Sequence, residues 1–508
     1  MLEQLLDYLN IKELYPPQKE AMKVIERNES LLMSVPTAAG KTVVAYNALM
    51  KAVKEGKKGI FLVPLRALAW EKVNELKDIC RNILNGAKIG VSVGDFDKIR
   101  GLSKYDIIVA TSERADSLIR HNPPWLTEVG CLVSDEIHLI NDSNRGPTLE
   151  VTLSKFREIN PEIQIVGLSA TVSNSKEVAN WLDATLVESD FRPVPLKKGI
   201  CIANEIEWDG SEFKRIDIEG TEGIALDNLP DQCLVFVNTR RSAEAQAKRL
   251  GMLIGKRLTN EETEGLKQYT SELKSGADEV TSVDSNLTKL IERGVAYHHA
   301  GLTNRQRQII EKGFREKRIK ALCATPTLAA GVNLPAKRVI IRDLTRWDSS
   351  FQSNQPLPAL EIQQMLGRAG RPGFDVDGEG VLIAKNNDQK AQIVETYFEG
   401  ETEPVLSRLG SEPALRTHLL SLIASGTIST TEEMHSFLKR TLFGAQGELW
   451  RTQHRINKVL DFLDKEDLIE IEGKVDGEFI PANATIQEKL RATPFGRKVS
   501  QLYIDPLS

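Results

Sequence analysis

From Ser30 onward the chain alternates short, continuous apolar runs with stretches of helical period. The runs LLMSV, GIFLVP, YDIIVAT, CLVSDE and QIVGLSAT are apolar at nearly every position rather than at every second one. Strands buried on both faces need that continuity, and strands alternating with helices predict a parallel sheet covered by helices. A second set, QCLVFVN, VAYHHAG, IKALCAT, RVIIRD and GEGVLIA, follows FRPVPLKKGI, whose prolines and basic residues suit a linker. Within that second lobe, the stretch 260–292 is polar with helical spacing and reads as exposed structural helices. After Pro404 the strands largely stop. ALRTHLLSLIASG, TTEEMHSFLKRTLFG and INKVLDFLDKEDLIEIEG predict helices followed by a short hairpin-like pair, the order of a winged-helix domain. The predicted fold is α/β: two tandem parallel-sheet domains, residues 1–195 and 196–403, then a mainly helical winged-helix domain, residues 404–508.

Composition narrows this picture without supplying a function. The 508 residues suit several domains at roughly 150 residues each. With 41% hydrophobic and 27% charged residues the chain is an ordinary globular protein, which excludes disordered and fibrous classes. The net charge is -5, so a nucleic-acid partner must be met by a local groove rather than a cationic surface. Cys80, Cys131, Cys201, Cys233 and Cys323 lie far apart, without zinc or disulfide spacing, and read as buried thiols. The N-terminus MLEQLLDYLNIKELY lacks a signal-peptide pattern, and no apolar run approaches about 18 residues. A soluble, cytoplasmic protein without a membrane partner is expected.

The chemistry begins at PTAAGKT, which stands between the apolar strand LLMSV and the helical run VVAYNALMKAV. Small residues Pro36, Thr37, Ala38, Ala39 and Gly40 let backbone N–H groups wrap a phosphate at a helix N-terminus. Lys41 can reach the terminal phosphates, and the Thr42 hydroxyl can hold Mg2+. The strict pattern wants glycine where Val35 stands, and a bare GKT also occurs in ordinary surface loops. CLVSDEIHLI changes the balance, because an apolar strand ends there in two adjacent carboxylates. Asp135 is placed to hold Mg2+ on the nucleotide phosphates and Glu136 to polarise the attacking water. Taken alone, the two acids read as a helix cap; after the cradle they read as an ATP hydrolase. His138 either couples this site to Ser169 and Thr171 of SAT or packs as a satisfied polar residue.

PTAAGKT, VPLRALA, DEIHLI, SAT, HHAGL, TPTLAAGVNLPA and QMLGRAGR stand in the order of a superfamily 2 helicase, and the resemblance covers essentially the whole chain. The series is most similar to the superkiller-type DExH subgroup and, within it, to archaeal DNA repair helicases. The resemblance implies two RecA-like lobes that close on ATP. Gln364, Arg368 and Arg371 match the family's second-lobe catalytic motif, and Arg371 would stabilise transition-state charge from across the cleft. Gln18, after Pro16 and Pro17, matches the adenine-reading glutamine. Gly331 and Asn333 match a loop touching nucleotide and strand.

The family's single-strand channel maps onto Pro64, Arg66, Ala67, Gly94, Asp95, Thr111, Ser112, Asn238, Thr239, Arg240, Thr325 and Thr327. Backbone amides, hydroxyls and arginines position phosphates without reading bases. IRDLTRWDSSFQSNQPLPALEI resembles the strand-separating hairpin, with Phe351 near its tip. The winged-helix domain is expected to act as a hinge against the second lobe. Lys439, Arg440 and Arg451 could touch phosphate, although charged helix faces are more often solvated. TPFGRKVSQLYIDPLS resembles the beginning of the ratchet domain, so the ratchet and helix-loop-helix domains are expected to be missing and unwinding to be weaker than ATPase activity. The expected activity is 3′ to 5′ movement on single-stranded and forked DNA by a monomer, in replication-fork repair and recombination; repair or replication proteins are not readable as partners. An RNA helicase is the alternative, since phosphate contacts say little about the 2′-hydroxyl. A nucleotide-gated clamp is a third reading, disfavoured because Lys41, Asp135, Glu136 and Arg371 are all present.

Overall fold

A computed structural model describes residues 1–84, 86–94, 99–121, 123–209, 212–275, 282–326, 328, 334–348, 352–473, 488–502 and 504–507. The chain forms two compact units. The first holds residues 1–35, 40–189 and 404–508, and the second residues 36–39 and 190–403. Among the described residues no helix is long and apolar enough to cross a membrane.

The first unit is built on a seven-stranded sheet, all of its pairs parallel. Its strands are β1 (Leu31–Ser34), β2 (Lys58–Leu62), β3 (Ile89–Ser92), β4 (Ile107–Ala110), β5 (Val129–Ser134), β6 (Gln164–Ser169) and β7 (Thr185–Glu188), in the order β3-β4-β2-β5-β6-β1-β7. The fully apolar runs sit in the middle, and every residue of β1, β4, β5 and β6 is buried. β3 and β7, which the hydrophobic pattern does not announce, form the two edges. There one row of backbone groups and one flank go uncovered, so polar residues such as Thr185 and Glu188 are tolerated.

The third domain packs into this first unit. Its helices Glu412–Ala424, Thr431–Lys439 and Leu449–Lys465 share one apolar core with Val151 of the helix Gly146–Ile159. They are followed by a short antiparallel pair of strands, Ile469–Glu472 and Lys489–Ala492. Buried polar groups reinforce the seam. Lys155 Nζ donates to Asp116 Oδ1 at 3.0 Å and to Ser421 Oγ at 3.0 Å. Arg120 adds bonds to the other Asp116 oxygen at 2.8 and 2.6 Å and to the Ser500 carbonyl at 2.6 Å. Burial would push the Asp116 acid up, but Lys155 and Arg120 outweigh it and hold it well below the usual carboxylate range. Glu150 caps the third domain's Phe443 N–H at 2.7 Å and accepts from Ser407 Oγ at 2.6 Å, and burial pushes its acid up to about 7. The apolar face and the buried charges of this domain are thus committed to the first lobe.

The second unit carries an eight-stranded sheet. Its strands are β8 (Leu196–Ile202), β9 (Glu205–Trp208), β10 (Glu212–Arg215), β11 (Cys233–Phe236), β12 (Val295–His298), β13 (Ala321–Ala324), β14 (Arg338–Ile341) and β17 (Gly378–Ala384), in the order β10-β9-β8-β17-β14-β11-β13-β12. A separate antiparallel hairpin, β15 (Thr345–Asp348) with β16 (Ser353–Pro356), intervenes in sequence. Two readings need correction here. The supposed linker contributes LKKGI to β8, which pairs in parallel with β17; Lys197 and Lys198 are only partly exposed there, and their ammonium groups lie 5.1 Å from the centres of the Trp208 and Phe398 rings. The polar stretch 260–292 is not simply exposed either, because Leu266, Tyr269, Leu273, Leu287, Leu290 and Ile291 enter the second unit's core. All five cysteines are buried free thiols.

Candidate nucleotide site and nucleic-acid track

The first unit's sheet sorts its chemistry by strand. At the carboxyl ends of β1, β5 and β6 stand the cradle, Asp135–Glu136 and Ser169–Thr171; at the ends of β2, β3 and β4 stand Pro64–Ala67, Gly94 and Thr111–Ser112. Carboxyl strand ends are the ligand edge of open parallel sheets. The two sets meet where β2 lies beside β5: the Asp135 N–H donates to the Leu62 carbonyl at 2.9 Å, two residues before Pro64.

In the cradle the chain leaves β1 and turns through Ala38 at φ +72° and Gly40 at φ +73° before the helix Lys41–Lys54 begins. Gly40 is obligatory on space as well as φ, since a Cβ there would lie 2.3 Å from Gln18 Nε2. Gln18 is 2% exposed. Its amide donates to the Gly40 carbonyl at 2.9 Å and accepts from the Tyr15 N–H at 2.9 Å. The glutamine is thus built into the cradle wall. Lys41 Nζ donates to the Val35 carbonyl at 2.9 Å. Val35, the departure from the strict pattern, therefore contributes its backbone, and its side chain is buried in the core. Pro36, Thr37 and Gly40 are partly exposed, Ala38 is exposed, Ala39 is buried and Thr42 is partly exposed.

Asp135 and Glu136 follow β5 directly, and Glu136 takes the left-handed conformation at φ +50°. A non-glycine residue there is strained, and such strain collects at functional sites. Burial and the adjoining Glu136 carboxylate push the Asp135 acid up, while Lys41 and Lys72 pull it back. A carboxyl held high by a like charge is a place a cation relieves. Among the described residues no group of three or more histidine, cysteine, aspartate or glutamate side chains could hold a metal. The Thr42 hydroxyl and the Asp135 carboxylate are two oxygen donors, a number that fits Mg2+, which keeps waters and substrate phosphates and needs only one or two protein oxygens. Lys72 carries no motif that marks it in the sequence. It reaches Glu75 at 2.9 Å and lies 5.8 Å from the centre of the Tyr46 ring. Only its helical position in the VPLRALAWEK segment could have hinted at it.

His138 is the link between motifs. Its Nδ1 accepts from the Ala170 N–H at 3.3 Å and lies 3.3 Å from Ser169 Oγ, while Nε2 faces Glu136 Oε2 at 3.3 Å. A backbone donor on Nδ1 places the proton on Nε2. Burial, with Lys41 nearby, drives the imidazole down to about 3, so the ring is neutral. Thr171 is partly exposed beyond it.

On the track of the first unit, Arg66 and Ala67 are exposed, Pro64 and Gly94 are partly exposed, and Thr111 and Ser112 are largely covered at the start of the helix Ser112–Arg120. Arg145 extends this set, donating to the Pro64 carbonyl at 3.5 Å. Asp95, Thr327, Gly331, Asn333 and Phe351 lie outside the described residues.

In the second unit, Asn238, Thr239 and Arg240 follow β11 and Thr325 follows β13. Arg240 is exposed. Thr239 spends its hydroxyl as a helix cap, accepting from the Ser242 N–H at 3.0 Å. Asn238 braces the hairpin, its side chain donating to the Thr345 carbonyl and its backbone to Asp343 Oδ2 at 3.0 Å. These two residues shape the loop and leave Arg240 to face solvent. Trp347 on β15 is 62% exposed, an aromatic on the hairpin that the reading of Phe351 passed over.

Gln364 and Arg368 are partly exposed. Arg371, by contrast, is 8% exposed and engaged within its own unit. It bonds both Asp375 oxygens at 2.8 and 2.7 Å, Asp231 at 2.8 Å and Gln232 at 3.4 Å. In this structure the guanidinium of Arg371, to which the resemblance gives a cross-cleft role, is engaged in bidentate carboxylate pairing within its own unit.

Comparison with known proteins agrees with this arrangement. Residues 15–178 match the DEAD/DEAH box helicase model, residues 267–373 the helicase conserved C-terminal domain, and residues 378–470 a helix-turn-helix domain. The chain is 43% identical to the ATP-dependent DNA helicase Hel308 of Methanocella arvoryzae, over 98% of this chain and 66% of that protein. Identity is 40% to the protein of the same name from Methanococcus vannielii, over 99% and 71%. It is again 40% to that of Thermoplasma volcanium, over 98% and 68%. The chain thus spans about two thirds of the length of these relatives. With the cradle, the paired acids and the strand-end track in place, the chain belongs to the family of the ATP-dependent DNA helicase Hel308, among the DEAD/DEAH box helicases.

Proposed function

We propose that this chain is an ATP-driven DNA helicase of the superkiller-type subgroup that moves 3′ to 5′ on single strands and opens forked or branched DNA in repair. The observation that carries the reading is the 2.9 Å hydrogen bond from Asp135 to Leu62, which ties the carboxylate end of the nucleotide site to the start of the strand track.

In this reading Lys41 and the backbone of residues 36–40 hold the phosphates. Glu136 orients and deprotonates the attacking water, and neutral His138 holds Glu136 in place while reporting to Ser169 and Ala170. Thr42 and Asp135 would hold Mg2+, which when bound would neutralise phosphate charge. Arg368 rather than Arg371 supplies the transition-state guanidinium, with Gln364 beside it on the same motif. Arg371 anchors that motif through Asp375 and Asp231. Residues 1–195 and 196–403 act as the motor lobes and residues 404–508 travel with the first lobe. Trp347 and the hairpin stand at the duplex junction.

The test is ATP turnover with matched single-stranded DNA and RNA oligomers across a salt series, since salt sets the phosphate term. Stimulation by DNA well above RNA supports the reading. Equal or stronger stimulation by RNA moves the chain to RNA remodelling, and stimulation by neither leaves the clamp.

A further inference from the structure

We infer that His299 is a positioning residue for the nucleic-acid track, which holds the guanidinium of Arg240 in the orientation that takes a strand phosphate. The inference rests on the proposed role of Arg240 and deepens it. HHAGL belongs to the motif series, yet neither hydrolysis nor the track as described uses its second histidine.

His299 follows β12 directly and is 5% exposed. Its ring stacks on the Tyr297 ring, centroids 5.3 Å apart and planes 11° apart. The Gly301 N–H donates to Nδ1 at 3.1 Å, so the proton sits on Nε2, which faces Glu244 Oε1 at 3.3 Å. Glu244 lies four residues after Arg240 on the helix Arg240–Ile254, hence on the same helical face. Gly301 measures how close the groups are. A Cβ added there would lie 3.1 Å from His299 Nδ1 and 3.3 Å from Arg240 Nη1. Imidazole and guanidinium therefore both lie against one glycine, and a Cβ there would press on the two together, each giving by a few tenths of an ångström.

The electrostatics suit the placement. Burial pushes the His299 imidazole down, and Arg240 adds to this against the pull of Glu244, so the ring beside the guanidinium is neutral and does not repel it. A long exposed arginine loses rotamer freedom when it takes a phosphate. A wall of His299 and Glu244 that orders the side chain beforehand removes part of that loss. The strand end of β12 thus serves the helix that starts at the end of β11.

The test is the affinity of the full chain for a fluorescent single-stranded DNA oligomer, followed by anisotropy across a salt series, together with the strand dependence of ATP turnover. His299→Ala should weaken binding about fivefold, and Arg240→Ala should weaken it at least as much and lower the salt slope by about 0.7, the value for one phosphate on single strands. In the double variant, His299→Ala should add nothing to Arg240→Ala. Half-maximal stimulation should need about five times more strand, with kcat at saturating strand retained. Glu244→Ala, a change on the partly exposed helix face, should give the same pattern should His299→Ala fold poorly. If His299→Ala or Glu244→Ala weakens binding as much in the Arg240→Ala background as alone, His299 acts by packing and the inference is wrong. If Arg240→Ala binds DNA as the parent does, with an unchanged slope, the track reading itself fails and takes the inference with it.

Discussion

His418 gives a test of the bond between the third domain and the first lobe. It lies buried on the helix Glu412–Ala424, near Asp116, Arg120 and Lys155, and its Nδ1 meets no hydrogen-bond partner among the described residues. Burial drives its imidazole down to about 3, with Asp116 pulling up and Arg120 and Lys155 pushing down. An unfolded histidine titrates near 6.5. Because the folded value is the lower one, the unfolded state binds the extra proton, and stability present above about pH 6.5 is lost as pH falls towards 3. The slope is about 1.4 kcal/mol per pH unit, so about 2 kcal/mol is lost between pH 7 and pH 5 through this residue alone. His418→Leu removes the titrating group and leaves a side chain of similar size beside the Asp116, Arg120 and Lys155 cluster. The assay is the free energy of urea unfolding of parent and variant at pH 7, 6 and 5. His138, also driven down to about 3, contributes alike in both proteins and cancels in the difference. The parent should lose about 2 kcal/mol more than the variant between pH 7 and pH 5. Parallel pH curves would refute the reasoning and mean that His418 reaches solvent or a partner in the folded protein.

The two arginines of the GRAGR segment should separate by assay. Arg368→Ala should lower kcat by at least about a hundredfold with an unchanged melting temperature. Arg371→Ala leaves Asp375 without its bidentate partner and should destabilise by about 3 kcal/mol, seen as an earlier thermal transition; an unshifted transition would count against the anchor. Trp347→Ala should leave strand-stimulated ATP turnover near the parental value while reducing fork opening per ATP, measured on a labelled fork, and equal fork opening would remove Trp347 from the junction.

The continuous apolar strands are legible because full burial leaves no freedom in their pattern: LLMS, IIVA and VGCLVS all form strands. The cradle and the DEIH segment are legible because an apolar strand that runs into GKT, or ends in two adjacent acids, puts charge where burial alone would forbid it. What escapes is set by tertiary context. LKKGI looks like a linker because two lysines interrupt it, yet their ammonium groups lie over the Trp208 and Phe398 rings and the strand pairs with β17. The charged stretch 260–292 hides an apolar face that only the second unit's core reveals. Arg371 matches a motif position, but nothing along the chain signals that Asp231, far upstream, claims its guanidinium. Lys72, Arg145 and Trp347 carry no motif of their own, and each is assigned by what stands next to it; His299 stands in HHAGL, but its neighbour Arg240 is seen only in the fold.

The measurement that bears most directly on the account is nucleotide binding and turnover by Glu136→Gln. The amide keeps the size of the side chain and a hydrogen-bond acceptor but cannot take a proton from water. The account predicts ATP affinity within about threefold of the parent, by fluorescence titration, and a single-turnover hydrolysis rate lower by at least about a hundredfold, the scale of a lost general base. Hydrolysis at the parental rate would contradict it, and would take from the DEIH segment the chemistry on which the helicase reading stands.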